Sequence, residues 1–233
     1  MVQRPKFQRP EHQAVATALQ AMNHDWLAQC RCWFGGGTEI VLDLGEYRLS
    51  KDIDFLCADA DGWTLRSAAV SQRAAAFFAR DVALERPFRS DQYGIRSIIR
   101  VGHIPIRFEI AREGRIPLEG RGDPSLGVPR LTDSDRVAEK LLANADRCQD
   151  PSTHFRDAAD LGMLALHRTP LPASGFRKAQ TAYGDDLLHK LDWALATLAD
   201  LDRLTETAVA LGMDTATLTA AITAFRAEAD RNR

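Results

Sequence analysis

The stretch that decides the fold is FGGGT at residues 34–38, followed after a short gap by SKDIDF at residues 50–55. The glycines end an apolar run at residues 30–34, which predicts a buried strand. Residues 38–44 predict a short helix with Thr38 at its start. A glycine-rich turn that enters a helix exposes backbone N–H groups, so this arrangement predicts an anion-binding site.

The second part of the stretch alternates polar and apolar residues from Lys51 to Cys57, which is typical of a strand with one solvated face. Asp52 and Asp54 then share a face, about 7 Å apart at ~3.3 Å per residue. Two such carboxylates suit a hard divalent cation. A phosphate cradle beside a dicarboxylate predicts metal-assisted phosphoryl transfer.

A third carboxylate usually helps to hold the metal that binds the nucleophile. Two β-rich runs, at residues 95–101 and 104–111, flank Gly102-His103 and predict a hairpin. Glu109 lies on the polar face of the second run. If that run lies beside the Asp52 strand, it projects Glu109 towards the same site, so Glu109 is the candidate.

The order of these motifs resembles the signature of the DNA polymerase β-like nucleotidyltransferase superfamily. Within it, the L-G-x-x-R-x-S-K-D-I-D run at residues 44–54 resembles the AbiEii/AbiGii toxin family. Downstream, KLLA at residues 140–143 and RDAADL at residues 156–161 resemble that family's K-L-x-A and R-D-x-x-D-L elements. The similarity covers about residues 34–166, in matching order.

The resemblance implies an enzyme that uses Mg²⁺ to transfer a nucleotide from an NTP; some family members act on tRNA 3′ ends as toxins paired with an antitoxin. The residues expected to hold the nucleotide are Gly36, Gly37, Thr38, Lys140, Arg156 and Asp160. The residues expected to be catalytic are Asp52, Asp54, Glu109, Lys140 and Asp157, of which the first three would bind metal.

Three of these assignments leave alternatives open. The family more often has Asp as the third carboxylate, where this chain has Glu109. Either Asp157 or Asp160 would complete the helical side of the site. Arg156 and Asp160 stand four residues apart on a predicted helix, where a structural ion pair is an alternative.

The chain changes character along its length, which predicts an α+β protein. Residues 1–115 are expected to form a nucleotidyltransferase domain, in which the resemblance implies a polymerase β-like mixed sheet with flanking helices. Residues 116–130 are rich in Gly and Pro and predict a linker. Residues 131–233 carry helical patterns, including a leucine stripe that starts at Leu187, and predict an all-α C-terminal domain.

Composition narrows the function classes. The net charge is −2, so the chain as a whole is not a polyanion binder, and no P-loop motif is present. Of the 25 arginines, nine lie between Arg80 and Arg121. They are either ordinary surface residues or a basic wall for RNA phosphates.

No apolar run approaches the ~18 residues of a membrane span, and the basic N-terminus does not resemble a signal peptide, so a cytoplasmic location is expected. The four cysteines are too few for a disulfide scaffold at this length, and buried thiols are expected.

Three functions are compatible with these observations. The first is nucleotide transfer to an RNA acceptor, expected to be a tRNA 3′ end, by the toxin of a toxin–antitoxin pair. The second is transfer to a small molecule such as an aminoglycoside. The third is a non-catalytic regulatory relative, against which the intact Asp52, Asp54 and Lys140 argue. The arginine-rich segment favours the first, because a small acceptor needs no basic wall.

Overall fold

The computed structural model describes residues 6–58, 62–71, 74–80 and 82–233. The chain divides into two compact units. The first comprises Met1–Leu42 and Ser50–Thr132, and the second comprises Asp43–Leu49 and Asp133–Arg233. The short segment Asp43–Leu49, hereafter the inserted segment, thus belongs to the helical second unit although it lies between two stretches of the first.

The first unit is built on a mixed sheet, which confirms the α+β prediction. Its strands, within the described residues, are β1 (Cys32–Gly35), β2 (Ile53–Cys57), β3 (Ala83–Ser90), β4 (Gly94–Val101), β5 (Ile104–Arg112), β6 (Gly120–Asp123) and β7 (Val128–Leu131). They are arranged in the order β3-β4-β5-β2-β1-β7-β6. Strand β2 is antiparallel to β1 and parallel to β5, while β1 is parallel to β7. The two motif strands therefore lie side by side in the middle of the sheet.

Helices flank this sheet. They are α1 (Pro10–Gln20), α2 (His24–Gln29), α3 (Gly36–Asp43), α4 (Gly62–Val70) and α5 (Ala74–Phe77). The pattern at residues 11–29 predicts one helix, but the chain breaks before α2. The Asn23 N–H donates to Phe77 O at 2.9 Å, and the Asn23 side chain accepts a bond from the first turn of α2. A helix predicted for residues 64–80 crosses 72 and 73, which lie outside the described residues.

The linker prediction for residues 116–130 is wrong, because this segment contains β6 and most of β7. The glycines that suggested a loop have local roles in a hairpin. A side chain at Gly120 would stand 2.2 Å from the Trp33 ring, and Gly127 takes φ +77° in the turn, where it donates to Asp123 O. Close packing and turn geometry, rather than flexibility, therefore explain the composition.

The core of the first unit lies under the central strands. Phe34, Phe55 and Phe108 come from β1, β2 and β5 and are fully buried. Their ring centroids are 5.5 Å apart between Phe34 and Phe55 and 6.4 Å between Phe55 and Phe108. This row of rings fixes one face of each motif strand, so the alternate residues of β2 face the other way.

The second unit is helical, as predicted for the C-terminal half. Its helices are α6 (Asp133–Arg147), a 3₁₀ turn (Pro151–Thr153), α7 (Arg156–His167), α8 (Ala173–Tyr183), α9 (Asp185–Thr197), α10 (Leu201–Leu211) and α11 (Thr215–Arg231). Leu187, Leu191 and Leu195 of the predicted stripe are buried. Helices α7 and α11 approach closely at Gly162, where a side chain would meet Ala221 O at 2.9 Å.

All four cysteines are buried, and burial raises the pKa of the Cys32 thiol. Within the described residues, no single helix has the length and apolar character to cross a membrane. Helices α10 and α11 reach that length and character only when they are taken together, and the chain bends by 115° between them.

Candidate active site

The glycine turn and the Asp-x-Asp motif are in contact within the first unit. Strand β1 ends at Gly35, and α3 starts at Gly36, whose φ of +76° lies in the left-handed region that favours glycine. A Cβ atom at Gly36 would stand 2.9 Å from Asp54 Oδ2. No larger residue fits between the N-terminus of α3 and this carboxylate unless Asp54 shifts.

Strand register explains how Asp54 reaches this position. Asp54 is paired with Gly35 of β1 on one side and with Glu109 of β5 on the other. Ile53 and Phe55 are buried and hold β2 in the core, so Asp54 points away from it and is half-buried. Asp52 comes one residue before β2 begins and is also half-buried. The predicted placement of the Glu109 strand beside β2 is thus observed.

Thr38 lies in the first turn of α3 and is buried. Its Oγ1 lies 2.8 Å from Ser50 Oγ, and the Ser50 N–H donates to His12 Nε2 at 3.3 Å. These bonds join α3 to the start of the SKDIDF stretch and fix the residue from which the chain runs to Asp52. A contact of Thr38 with a triphosphate stays a prediction.

The Glu109 carboxylate is engaged by two arginines. Arg96 Nε donates to Oε1 at 2.8 Å, and Arg107 donates to Oε2 at 2.5 Å. The hydrogen bond to Glu109 raises the pKa of Arg107 above its usual value; the negative charges of Asp52 and Asp54 add to this, and together they outweigh burial. Arg107 is therefore bonded to one predicted metal ligand, Glu109, and its charge interacts with those of the other two, Asp52 and Asp54.

Aspartate oxygens are the donors that Mg²⁺ prefers, and Mg²⁺ usually takes one or two carboxylates together with water and substrate phosphate. Asp52 and Asp54 fit that donor set. Glu109 fits it less well, because both of its oxygens already bind guanidinium groups. Among the described residues, no three Asp, Glu, His or Cys side chains are arranged to hold one metal ion. The role of Glu109 as third ligand stays a prediction.

The second unit contains a buried cluster of charges around Lys140 of α6. Lys140 Nζ lies 2.9 Å from Asp157 Oδ1 and 2.6 Å from Asp160 Oδ2, both on α7. Arg147 adds two bonds to Asp157, at 2.6 and 2.8 Å. The structure thus brings together three residues of the K-L-x-A and R-D-x-x-D-L elements.

Two further members of this cluster come from the inserted segment. Arg48 donates from Nε and Nη2 to the two oxygens of Asp160 at 2.7 and 2.8 Å, and the Tyr47 hydroxyl donates to Oδ1 at 2.6 Å. Neither residue is among the predicted site residues, although Arg48 is the arginine of the L-G-x-x-R-x-S-K-D-I-D run. The ionic partner of Asp160 is therefore Arg48, together with Lys140, and not Arg156, which begins α7.

The charged groups of this cluster determine the protonation states of Asp157, Asp160 and Tyr47. Burial would raise the pKa of Asp160, but Arg48 and Lys140 outweigh it and lower the pKa. Burial of Asp157 is likewise outweighed, by Lys140 and Arg147, so its pKa is also lowered. Burial, with the charge of Asp160, raises the pKa of Tyr47. Both carboxylates are thus ionised, and fully buried Asp160 has four bonds that fix the inserted segment to α7 and α6. Its expected part in nucleotide binding stays a prediction.

The chain matches the model of one protein family over residues 18–230, and that family is described as the nucleotidyl transferase AbiEii toxin of type IV toxin–antitoxin systems. A search of curated proteins gives no match. Among solved structures, the crystal structure of an antigenic nucleotidyltransferase-like protein from Paracoccidioides brasiliensis is similar over 90% of this chain and 92% of that chain, with 15% identity and a TM-score of 0.46.

Proposed function

Because the chain belongs to the AbiEii family of nucleotidyl transferase toxins, we propose that it transfers a nucleotide from an NTP to an RNA acceptor, the 3′ end of a tRNA. In this proposal it is the toxin of a type IV toxin–antitoxin pair, with a cognate antitoxin protein, and it acts in the cytoplasm with Mg²⁺.

The observation that carries the proposal is the close approach of Asp54 to the β1–α3 turn, where a Cβ atom added at Gly36 would stand 2.9 Å from Asp54 Oδ2. The N–H groups in the first turn of a helix have no partner within the helix, so the start of α3 favours a phosphate. A phosphate there would lie against a carboxylate, and two anions in contact repel unless a cation lies between them. A triphosphate held by Gly36 and Gly37 therefore requires a divalent ion on Asp54, with Asp52 as the second carboxylate.

Bound Mg²⁺ would neutralise negative charge on the triphosphate and on the phosphoryl group that is transferred. The protein's own contributions are separate. The β1–α3 turn would place the phosphates against backbone donors. Arg107, which is bonded to Glu109 and whose pKa is raised in part by the charges of Asp52 and Asp54, offers a cationic group to this part of the sheet. In this proposal, Lys140 and Asp157 have the catalytic roles that the resemblance to the family motifs implies.

A labelling experiment tests this function. The purified chain is incubated with Mg²⁺, total RNA and each α-labelled NTP in turn, and the RNA is separated by size. We expect label on RNA of tRNA length with at least one NTP, and none after chelation of Mg²⁺. Asp54→Asn and Asp52→Asn should abolish the label, whereas Asp230→Asn, at an exposed position of α11, should not.

Two outcomes would contradict the proposal. One is an Asp54→Asn protein that labels RNA at the wild-type rate. The other is an absence of label with all four NTPs from wild-type protein that is folded by circular dichroism.

One observation favours a small-molecule acceptor as a second candidate. Three of the nine arginines between Arg80 and Arg121, which could form a basic wall for RNA, are paired with carboxylates: Arg96 with Asp91 and Glu109, Arg100 with Glu85, and Arg107 with Glu109. Three positive and three negative charges balance there, so the local field is weaker than the arginine count suggests. Transfer of label to an aminoglycoside without RNA would support this candidate.

A further inference from the structure

A cavity of about 510 Å³ lies within the second unit, between the turn that precedes α7 and helices α9 and α10. One wall is a pair of stacked rings. Phe155 and Trp193 have centroids 5.7 Å apart and planes inclined by 27°. Another part of the lining comes from α10 and includes Arg203 and Glu206. None of these residues belongs to the Lys140 cluster.

The backbone places Phe155 on this wall in an unusual way. His154 and Phe155 take positive φ angles of 48° and 53°, a region that non-glycine residues adopt only when their surroundings impose it. The preceding turn is fixed by the Thr153 hydroxyl, which donates to Asp150 O at 2.8 Å and to Arg147 O at 3.2 Å. Helix α7 then starts at once with Arg156. This strained junction turns the Phe155 ring onto Trp193.

The tryptophan remains open to solvent. Trp193 is 39% exposed although it stands on a helix whose other large apolar residues are mostly buried. An exposed indole stacked on a second ring is a ledge on which another planar ring can stack, and such stacking tolerates any base because every base has a π-face.

The rest of the cavity matches such a ring in size and polarity. Ligand cavities of ≈ 300–1,000 Å³ hold small molecules, and this volume accommodates a nucleoside. The polar groups at the edge, His154 and the Arg203–Glu206 ion pair, can donate to and accept from the edge of a heterocycle. An aliphatic ligand would use neither the ledge nor these groups.

We propose that the Phe155–Trp193 cavity binds a nucleobase, either that of the NTP or an unpaired base of the RNA acceptor. The inference rests on the proposed function, because that function supplies both sources of a base. The cavity also adjoins the R-D-x-x-D-L element in the chain, since Phe155 directly precedes Arg156 and Asp157.

Calorimetry with three probes tests the proposal in the presence of Mg²⁺: non-hydrolysable NTP analogues with each of the four bases, a single-stranded RNA tetranucleotide, and tripolyphosphate, which has no base. Trp193→Ala should weaken binding of a base-containing probe by about 5- to 150-fold, the loss of one stacked base. It should leave tripolyphosphate binding unchanged. Trp193→Phe, which keeps a ring, should retain most of the affinity.

Val209→Ala is the matched control, because Val209 is 75% exposed on α10 and does not line the cavity. Ala210→Leu is an independent variant that places a larger side chain on the α10 part of the lining, and it should also weaken binding. Ala210 is exposed on its helix, so the larger side chain does not disturb the core.

The results separate the two sources of the base and the two proposals. If Trp193→Ala loses affinity for the NTP analogues alone, the bound base is that of the NTP. If it loses affinity for the tetranucleotide alone, the bound base is that of the RNA acceptor. Wild-type affinity of Trp193→Ala and Ala210→Leu for every probe overturns the inference, even if the wild-type protein labels RNA. Weakened base binding in a protein that transfers no nucleotide supports the cavity and rejects the proposed function. A loss of affinity in Trp193→Ala that Val209→Ala shares, or that extends to tripolyphosphate, also overturns the inference.

Discussion

Replacement of Arg48 by methionine removes the main partner of a fully buried carboxylate. Arg48 gives Asp160 two hydrogen bonds, at 2.7 and 2.8 Å, and neither side chain is open to solvent. Methionine keeps much of the length and apolar character of the arginine stem, so the change deletes charge and hydrogen bonds rather than volume. The Asp160 carboxylate then stays buried with Lys140 and the Tyr47 hydroxyl as its remaining partners.

The expected magnitude follows from those remaining partners. Breaking a buried ion pair by removing one partner costs about 3–5 kcal/mol. Because Lys140 stays 2.6 Å from Asp160, we expect the lower end of that range. For a chain of this length, ~3 kcal/mol lowers the melting temperature by about 6–12 °C. Unfolding is followed by circular dichroism and, independently, by urea titration.

A control variant and a double variant test whether the lost stability comes from the buried ion pair. Arg203→Met removes an arginine from a pair whose side chains are 64% and 66% exposed, and it should change stability by no more than about 0.5 kcal/mol. Adding Asp160→Asn to Arg48→Met replaces the buried carboxylate that has lost two of its four bonds by a neutral amide, so the double variant should be more stable than Arg48→Met alone. The reasoning fails if Arg48→Met melts within 2 °C of the wild type, a margin set by about 0.5 kcal/mol.

Three other changes have predictable results. Gly36→Val should weaken binding of a non-hydrolysable NTP by at least about tenfold in calorimetry, because its Cβ would stand 2.9 Å from Asp54 and the backbone φ at this position is +76°. Unchanged affinity would show that the phosphates bind elsewhere. If the acceptor is RNA, Arg96→Gln and Arg100→Gln should each lower the slope of log affinity against log salt by less than about one unit, because both arginines are already paired. Arg177→Gln on α8 should leave this slope unchanged. An acceptor affinity that does not depend on salt would reject the RNA acceptor. The free energy of unfolding should fall as the pH drops below about 4, because Asp157 and Asp160 have lower pKa values in the folded protein than the ~3.9 of an unfolded aspartate. The two carboxylates stabilise the fold fully above pH ~3.9, and this stabilisation is lost as they are protonated. Urea midpoints between pH 6 and 3 should decline more steeply for the wild type than for Asp157→Asn, and parallel curves would contradict this assignment.

Local patterns were sufficient to predict the central strands and the glycine turn. The alternation around Asp52 and Asp54 and the break at Gly35 each depend on neighbouring residues only. The hairpin also contained a signal that the sequence analysis did not use. A turn at Gly102-His103 pairs Arg96 with Glu109, which is the register observed. The arginine on Glu109 could therefore have been predicted.

Other features could not be predicted because their causes lie far away in the chain. Glycine is favourable at position 120 of β6 because a Cβ there would stand 2.2 Å from the Trp33 ring of β1, a neighbour that the local sequence does not reveal. Arg48 and Asp160 are separated by 112 positions, and no local periodicity links them. The family motifs identified Asp160 as important, but its burial and its partners became visible only in the fold.

The placement of Asp43–Leu49 in the second unit has a consequence for synthesis on the ribosome. Arg48 is made 112 residues before Asp160, which at ~5–20 residues per second is a delay of about 6–22 s. During that time the guanidinium of Arg48 and the Tyr47 hydroxyl have no Asp160 to bind. A fragment that stops at Thr132 would keep them in that state permanently, since every partner of Arg48 on α7 is missing. The two units are thus not separable modules that could be exchanged by one cut in the gene: the helical unit is completed by residues translated long before it.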